Sequence, residues 1–514
     1  MTNRDLEAAW TYHNTTKHSY ENIHADPHYL DWENQPLPFK VYKSLDPAPL
    51  PRDLLSSGVP ALSAVSAPNP PSTTTSIPSL SLLASLLYFS AGITKRKQYA
   101  GGEILFRAAA CTGALYHIEL YLVCGDLPEL KAGVYHFGPG DFALRCLRQG
   151  DYRQILVRAT GGEPAVAMAP LTLICTGTYW RNAWKYRART YRHCFWDTGT
   201  IVASLLAVSA AHAVPAKVVM GFIDETVNRL LGLDTAREVA LTLVPLGYAP
   251  LPRPGPPPAL EPLVLETLPL SSKEVDYPAI RAMHAASSLN HAAEAGAWHG
   301  RVPLRHCPAP TGELFPLESQ HDDDIPPDSI EQVILRRGSS RRFARVPISF
   351  VQLSTLLRRA TRGIPADFLD PPGAMLNHLY LIVNAVDDLP HGAYVFRRDH
   401  DALELLRRGD FRRDAGYLGL MQEIPADASV DIFFLTDLQA ALERFGNRGY
   451  RAAQLEAGII GGKLYLSAYA QGLGASGLTF FDDDVTHFFA PHAADQSVMF
   501  LVALGKAGKV RPVS

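Results

Sequence analysis

Lys185 and Tyr186 place an amine and a phenol side by side, two groups that can each exchange a proton. At the positions 259 further on stand Arg444 and Phe445, a permanently charged guanidinium and an inert ring. Only the first pair can carry out proton transfer. A lysine whose pKa is depressed by a neighbouring cation can act as a base. A second group of residues is suited to binding rather than to bond breaking. Arg336-Arg337-Gly338-Ser339-Ser340-Arg341-Arg342 and the C-terminal Lys506, Lys509 and Arg511 form two basic clusters with hydroxyls between them. Such clusters can converge on one phosphate through charge-assisted hydrogen bonds. The stretch that aligns with the first cluster, SAPNPPST at 66–73, has no cation, and neither does Tyr248-Ala249-Pro250. One phosphate site per chain is therefore expected.

These comparisons are licensed by an internal repeat. The pattern Arg-x-Tyr-Arg-x₄-acid-x-Gly occurs as Arg189, Tyr191, Arg192, Asp197, Gly199 and as Arg448, Tyr450, Arg451, Glu456, Gly458, with 448 − 189 = 259. The same shift carries ALRCLRQGDYR (143–153) onto ALELLRRGDFR (402–412) and GVYHF (133–137) onto GAYVF (392–396). Because both copies keep these arginines and acids, they read as ion pairs that hold the fold, each acid pairing with the Arg five residues before it.

The elements that must position these residues follow from periodicity. In the first repeat, PSLSLLASLLYFSAG (78–92) reads as a helix ending at Gly92, and 114–123 and 132–138 read as strands. Thr198–Ala213 reads as a buried helix and LTLVPLG as a closing strand. The second repeat reads as helices 329–337, 349–361 and 456–471 with strands 376–386, 392–397, 477–481 and 497–505. Short turns join consecutive strands, so an α+β architecture with a mostly antiparallel or mixed sheet flanked by helices is expected. The expected domains are 1–75, an N-terminal extension without a counterpart plus a Ser/Pro-rich loop; 76–250, the first repeat; 251–327, a Pro-rich linker; and 328–514, the second repeat. GLGASG at 472–477 is a literal GxGxxG, but here the helix precedes and the strand follows, the reverse of a dinucleotide fingerprint. Those glycines are expected to form a helix C-terminal turn that presents backbone amides.

Composition excludes several classes. A net charge of −3 and a pI of 6.7 give no basic field for nucleic acid or anionic lipid. The N-terminus lacks an apolar signal region, and apolar runs such as Ile201–Ala211 fall short of the roughly 18 residues of a membrane span. A cytoplasmic location is the expectation. Six cysteines without CxxC spacing point to free thiols and no structural zinc, and HDDDIPP reads as a solvated loop, so no metal site is expected. There is no GxxxxGK[ST], GxSxG or HExxH.

Arg337-x-Ser339-x-Arg341-x-Phe343, followed by PIS and a Leu-rich helix, resembles the flavin-phosphate segment of nitroreductase-fold domains. RAAACTGALYHIELYLV (107–123) with GVYHF and LRQGDYR resembles the SagB-type branch, whose pattern reads R-A-S-P-S-A-G-A-L-Y-P. The resemblance covers most of 76–250 and 329–514. It implies two tandem nitroreductase-like domains that form an intramolecular pseudo-dimer with one FMN per chain at the interface. By this resemblance Arg337, Ser339, Arg341 and Arg511 hold the phosphate, and Gly474, Ala475, Ser476 and Gly477 approach the ring through backbone. Thr112, Gly113, Ala114 and Leu115 reach it from the other repeat. Gly338 departs from a usual Arg, and Ala110, Cys111 and His117 replace Pro, Ser and Pro.

Lys185-Tyr186 resembles the catalytic pair of azoline oxidases, which aromatise thiazolines or oxazolines. That chemistry removes a proton alpha to a carbonyl while hydride leaves the adjacent carbon for the flavin, with oxygen as the final acceptor. The implied substrate is a small or peptide-borne azoline-like heterocycle, and the implied partners are a cyclodehydratase or a carrier protein, with further oligomerisation open. Two other functions are compatible with the sequence: an NAD(P)H-dependent nitro or quinone reductase, and a flavin-free scaffold of a biosynthetic complex.

Overall fold

A computed structural model describes residues 3–71, 73–99, 102–250, 256–300 and 309–508. Two antiparallel sheets dominate it. The first has the order 48–49, 143–149, 133–138, 118–124, 171–178, 238–246, and the second the order 474–478, 497–505, 430–436, 377–383, 392–397, 402–408, 314–316. The α+β expectation is met. Both sheets carry their bulges at matched places: Val134/Tyr135 against Ala393/Tyr394, and Cys175/Thr176 against Phe434/Leu435. The strands 118–124, 171–178 and 430–436 are buried at every position because both sheet faces are covered there. In Ile118–Cys124, Leu120 and Leu122 face the main core, while Tyr121 and Val123 face a second core with Tyr152, Leu156 and Leu230, as a period of two dictates.

Two long helices, Thr190–Ala211 and Arg448–Ala470, cross at the centre. The glycine of the repeated motif explains how closely they approach. A Cβ on Gly199 would lie 2.5 Å from the Gly458 backbone, and one on Gly458 would lie 2.6 Å from the Trp196 carbonyl. Each glycine thus makes room for the other helix. Both helices start eight residues earlier than expected, because their first turns are buried through charged side chains that look solvent-exposed in a linear pattern. The continuous helical stretch Tyr179–Ala211 is long and apolar enough by composition to cross a membrane, contrary to the estimate from apolar run length. Of its most apolar 18-residue window, 83% is buried inside the protein.

The repeated arginines do hold the fold, with partners other than those expected. Arg189 and Arg192 donate to Asp482 at 2.9 and 2.5 Å, and Arg448 and Arg451 donate to Asp224 at 2.6 and 2.7 Å. Each Arg pair therefore grips the first turn of a helix in the other repeat. Residues five apart on a helix point about 140° apart, so Asp197 faces the 111–112 turn and Glu456 the start of the strand 377–383 instead. Asp197 accepts from Thr112 N and Oγ1, and Glu456 from Leu376 N and Asn377 N.

The N-terminal segment and the segment between the repeats make matching contacts. Arg192 donates to the His13 carbonyl and to Thr16 Oγ1, and Arg451 donates to the His284 carbonyl and to Ser287 Oγ. The His13 ring meets Tyr450 OH at 3.4 Å and the His284 ring meets Tyr191 OH at 3.2 Å. The helices Glu7–Thr15 and Pro278–Ala286 thus play matching roles.

Candidate active site between the repeats

The segment after Ala91 differs most between the copies. In the first repeat it is a two-stranded hairpin, Ile93–Tyr99 and Gly102–Arg107, exposed from Lys95 to Tyr99. It leads into the tight turn Thr112–Ala114, where Gly113 has φ 63°, Ala114 φ 55° and Tyr116 φ 47°. Left-handed backbone at three of four positions is a strained conformation typical of functional loops. The turn is held by Asp197, which accepts from Thr112 and from Cys111 Sγ at 3.0 Å.

Tyr186 lies directly over this turn, and a Cβ on Gly113 would come within 2.8 Å of its hydroxyl. The Lys185 amine sits 5.4 Å from the Tyr186 ring centroid. Both residues end the helix Tyr179–Tyr186. Burial pushes the Lys185 pKa below its ordinary value, and the positive charge of Arg341, from the second repeat, pushes it further down. Burial, then Asp197 and Cys111, push Tyr186 up. The environment thus shifts the amine toward its neutral form and holds the phenol protonated, the one suited to accept a proton and the other to donate one.

The second repeat supplies the opposite wall. Arg337 donates to the carbonyls of Arg107 and Ala108 at 2.9 and 2.8 Å and to Gly338 O. Its guanidinium is a strut between the repeats, so the phosphate role expected of it has carbonyl competitors. Arg341 is exposed and makes no ion pair with the described residues. Ser339 Oγ meets Tyr465 OH at 3.3 Å, and the same phenol accepts from Gly477 N. Ser340 N donates to Ala475 O at 2.9 Å, while its buried hydroxyl has no hydrogen-bond partner among the described residues. A Cβ on Gly474 would fall 2.1 Å from that hydroxyl.

Gly474–Leu478 is an edge strand paired with Ser497–Gly505, which corrects the expected helix-terminal turn. Ladder pairing overrides the turn preference of its glycines, and only Gln471-Gly472 turn, with Gly472 at φ 70°. The structure therefore gathers Lys185, Tyr186, Thr112, Gly113, Ala114, Leu115, Arg337, Ser339, Arg341, Gly474, Ala475, Ser476 and Gly477 along one interface. Arg511 lies outside the described residues. Ser340 and Arg107 join the site without having been singled out; Ser340 sits inside the basic cluster, but nothing in its spacing separates it from Ser339.

The pseudo-symmetric location is closed. There the strand-like segment Ala216–Val219, counterpart of Gly474–Leu478, is covered by the second repeat. Val218 N donates to Pro365 O at 2.7 Å, and Asp367 N donates to Val218 O at 3.0 Å. The Asp367 carboxylate accepts from Met220 N and Gly221 N. Arg444 donates to His299 O, and Phe445 packs 5.2 Å from Trp298. A separate cleft of about 410 Å³, lined by Trp10, His13, Lys17 and Asp482 among others, adjoins the Arg–Asp clamp rather than this interface.

The nitroreductase family pattern matches residues 334–506. A crystal structure from Anabaena variabilis ATCC 29413 that carries the name nitroreductase shares 26% identity over 98% of this chain and 99% of its own, with a TM-score of 0.77. A protein of Methanocaldococcus jannaschii, also named as a nitroreductase, is 22% identical over 165 residues, 32% of this chain and 78% of that one. The Escherichia coli microcin synthetase McbBCD complex with truncated pro-MccB17 bound overlaps 35% of this chain at 22% identity, with a TM-score of 0.30. The second half of the chain thus contains a nitroreductase-family domain, and the chain as a whole has the α+β fold of the flavin-type oxidoreductases of that family.

Proposed function

We propose that the chain is an FMN-dependent dehydrogenase of the SagB type that oxidises an azoline-like heterocycle, free or peptide-borne, in natural-product biosynthesis. One observation carries this reading: a lysine with a lowered pKa and a neutral tyrosine sit over the Gly113 turn and face Arg341 of the other repeat. When bound, FMN would supply the ring nitrogen that accepts hydride. The residues present fit such a group. Ser340 offers a buried hydroxyl and Arg341 a cation that have no partner among the described residues, and Gly474 makes room for the Ser340 hydroxyl. Ser339 and the backbone of Ala475, Ser476 and Gly477 extend that wall, with Thr112, Gly113, Ala114 and Leu115 opposite. In this reading Lys185 takes the proton alpha to the carbonyl, and Tyr186 donates a hydrogen bond to the carbonyl oxygen as charge grows there.

Turnover of an azoline-bearing peptide in Lys185→Ala and Tyr186→Phe tests the assignment, with bound FMN measured in each. Loss of turnover with flavin retained supports it, and unchanged turnover in both variants contradicts it. A second reading, reduction of nitro compounds or quinones with NAD(P)H, is favoured by the names of the relatives. Rapid bleaching of the bound flavin by NADPH without any azoline would support that alternative.

A further inference from the structure

Cys111 and His117 are two of the departures from the SagB-type pattern, and the fold brings both onto one carboxylate. Cys111 Sγ lies 3.0 Å and His117 Nδ1 3.3 Å from Asp197 Oδ2, and the donor atoms of all three residues lie within 4.8 Å of one another. His117 is completely buried, and neither ring nitrogen has a hydrogen-bond partner among the described residues. Leaving a buried imidazole without partners is destabilising, because its desolvation is not compensated. At the shift of 259 that the strands keep, Asp197 matches Glu456 and His117 matches Leu376, so the second repeat has no imidazole at this place.

We propose that Cys111, His117 and Asp197 bind one zinc-like divalent cation, which ties the 111–117 turn to the first central helix. A thiolate, an imidazole and a carboxylate are the donors that zinc accepts, and three protein donors leave one position for water. Zinc bonds of about 2.0–2.3 Å at tetrahedral angles separate donors by about 3.3–3.6 Å. The His–Asp spacing meets this, and Cys111 Sγ needs to withdraw by about half an ångström. A crevice of about 10 Å³, lined by Cys111 and Asp197 but not by His117, adjoins the cluster and has space on the order of one water. Binding displaces the Cys111 thiol proton to solvent, so uptake releases one proton and changes no oxidation state. Linear spacing gave no sign of the site, because its three ligands lie on a turn, a strand entrance and a helix up to 86 residues apart. The proposal is independent of the flavin chemistry.

The test is zinc titration of chelator-stripped full-length protein against a chromophoric chelator, followed by X-ray absorption on the zinc-loaded wild type. One zinc per chain is expected, with a shell of one sulfur at about 2.3 Å and nitrogen or oxygen at about 2.0–2.1 Å. Affinity should fall at least about tenfold in Cys111→Ala and in His117→Gln. Less than a tenth of an equivalent bound, a shell without sulfur, or equal affinity in both variants overturns the proposal. Should a variant not fold, alkylation of wild-type Cys111 replaces it: protection by Zn²⁺ supports the site, and equal labelling with and without Zn²⁺ overturns it.

Discussion

Residues 92–113 and 361–373 occupy the same place in the two repeats and do opposite things. The first projects outward as a hairpin and, among the described residues, forms no backbone pair with the strand Gly474–Leu478 of the other repeat, whose free edge is met by Ser340 N and the Tyr465 phenol instead. The second lies down on Ala216–Val219 and closes that edge with backbone hydrogen bonds and Asp367. The interface has two pseudo-equivalent sites, one open beside Lys185-Tyr186 and one shut beside Arg444-Phe445. A homodimer has to build both sites alike, whereas fused repeats can spend one on stability and keep the other for chemistry.

What the repeats share should matter equally on both sides, and what they do not share should matter on one side only. The largest effect is expected at the clamps. Asp482→Asn and Asp224→Asn each leave two buried guanidiniums without their carboxylate, a loss of about 3–5 kcal/mol by urea unfolding. A clear inequality between the two variants would break the symmetry argued for the clamps. Next comes Lys185→Ala, expected to lower turnover at least about 100-fold with FMN still bound, the scale of a lost general base. Arg444→Ala should leave turnover within about threefold. Similar losses in both would mean that the shut site also works.

Gly458→Ala should cost about 1–3 kcal/mol in thermal unfolding, because its Cβ would press on the Trp196 backbone. No change would show that the central helices have slack. The smallest effects concern pH. Burial raises Glu456 to about 7 from an ordinary 4.5, so the folded state holds its proton more tightly and loses stability as pH rises from about 4.5 to 7. Glu456→Gln should flatten that decline. Asp224, lowered to about 2 despite burial by Arg448 and Arg451, acts with the opposite sign. Its contribution is complete above the ordinary carboxylate pKa near 4 and is lost as pH falls toward 2.

The sequence disclosed the duplication, the antiparallel sheets and most strands, because alternation and helical periodicity are local. It also pointed to both walls of the site, since the asymmetries Lys185/Arg444 and Arg341 against an uncharged stretch lie in alignable segments. The clamp partners were invisible because Asp482 and Asp224 sit 290 and 224 residues from the arginines they meet. The duplicated N-terminal helices escaped because His13/His284 and Thr16/Ser287 are the contacts retained, too few to align. The closure of the second site escaped for a different reason. It rests mainly on backbone pairing by Pro365 and Asp367, which leaves no motif.

Equilibrium titration of the flavin-stripped chain with FMN tests the central contrast most directly. One FMN per chain is predicted, because one site is open and the other is closed by residues 364–368. Two equivalents, or none, would contradict the account.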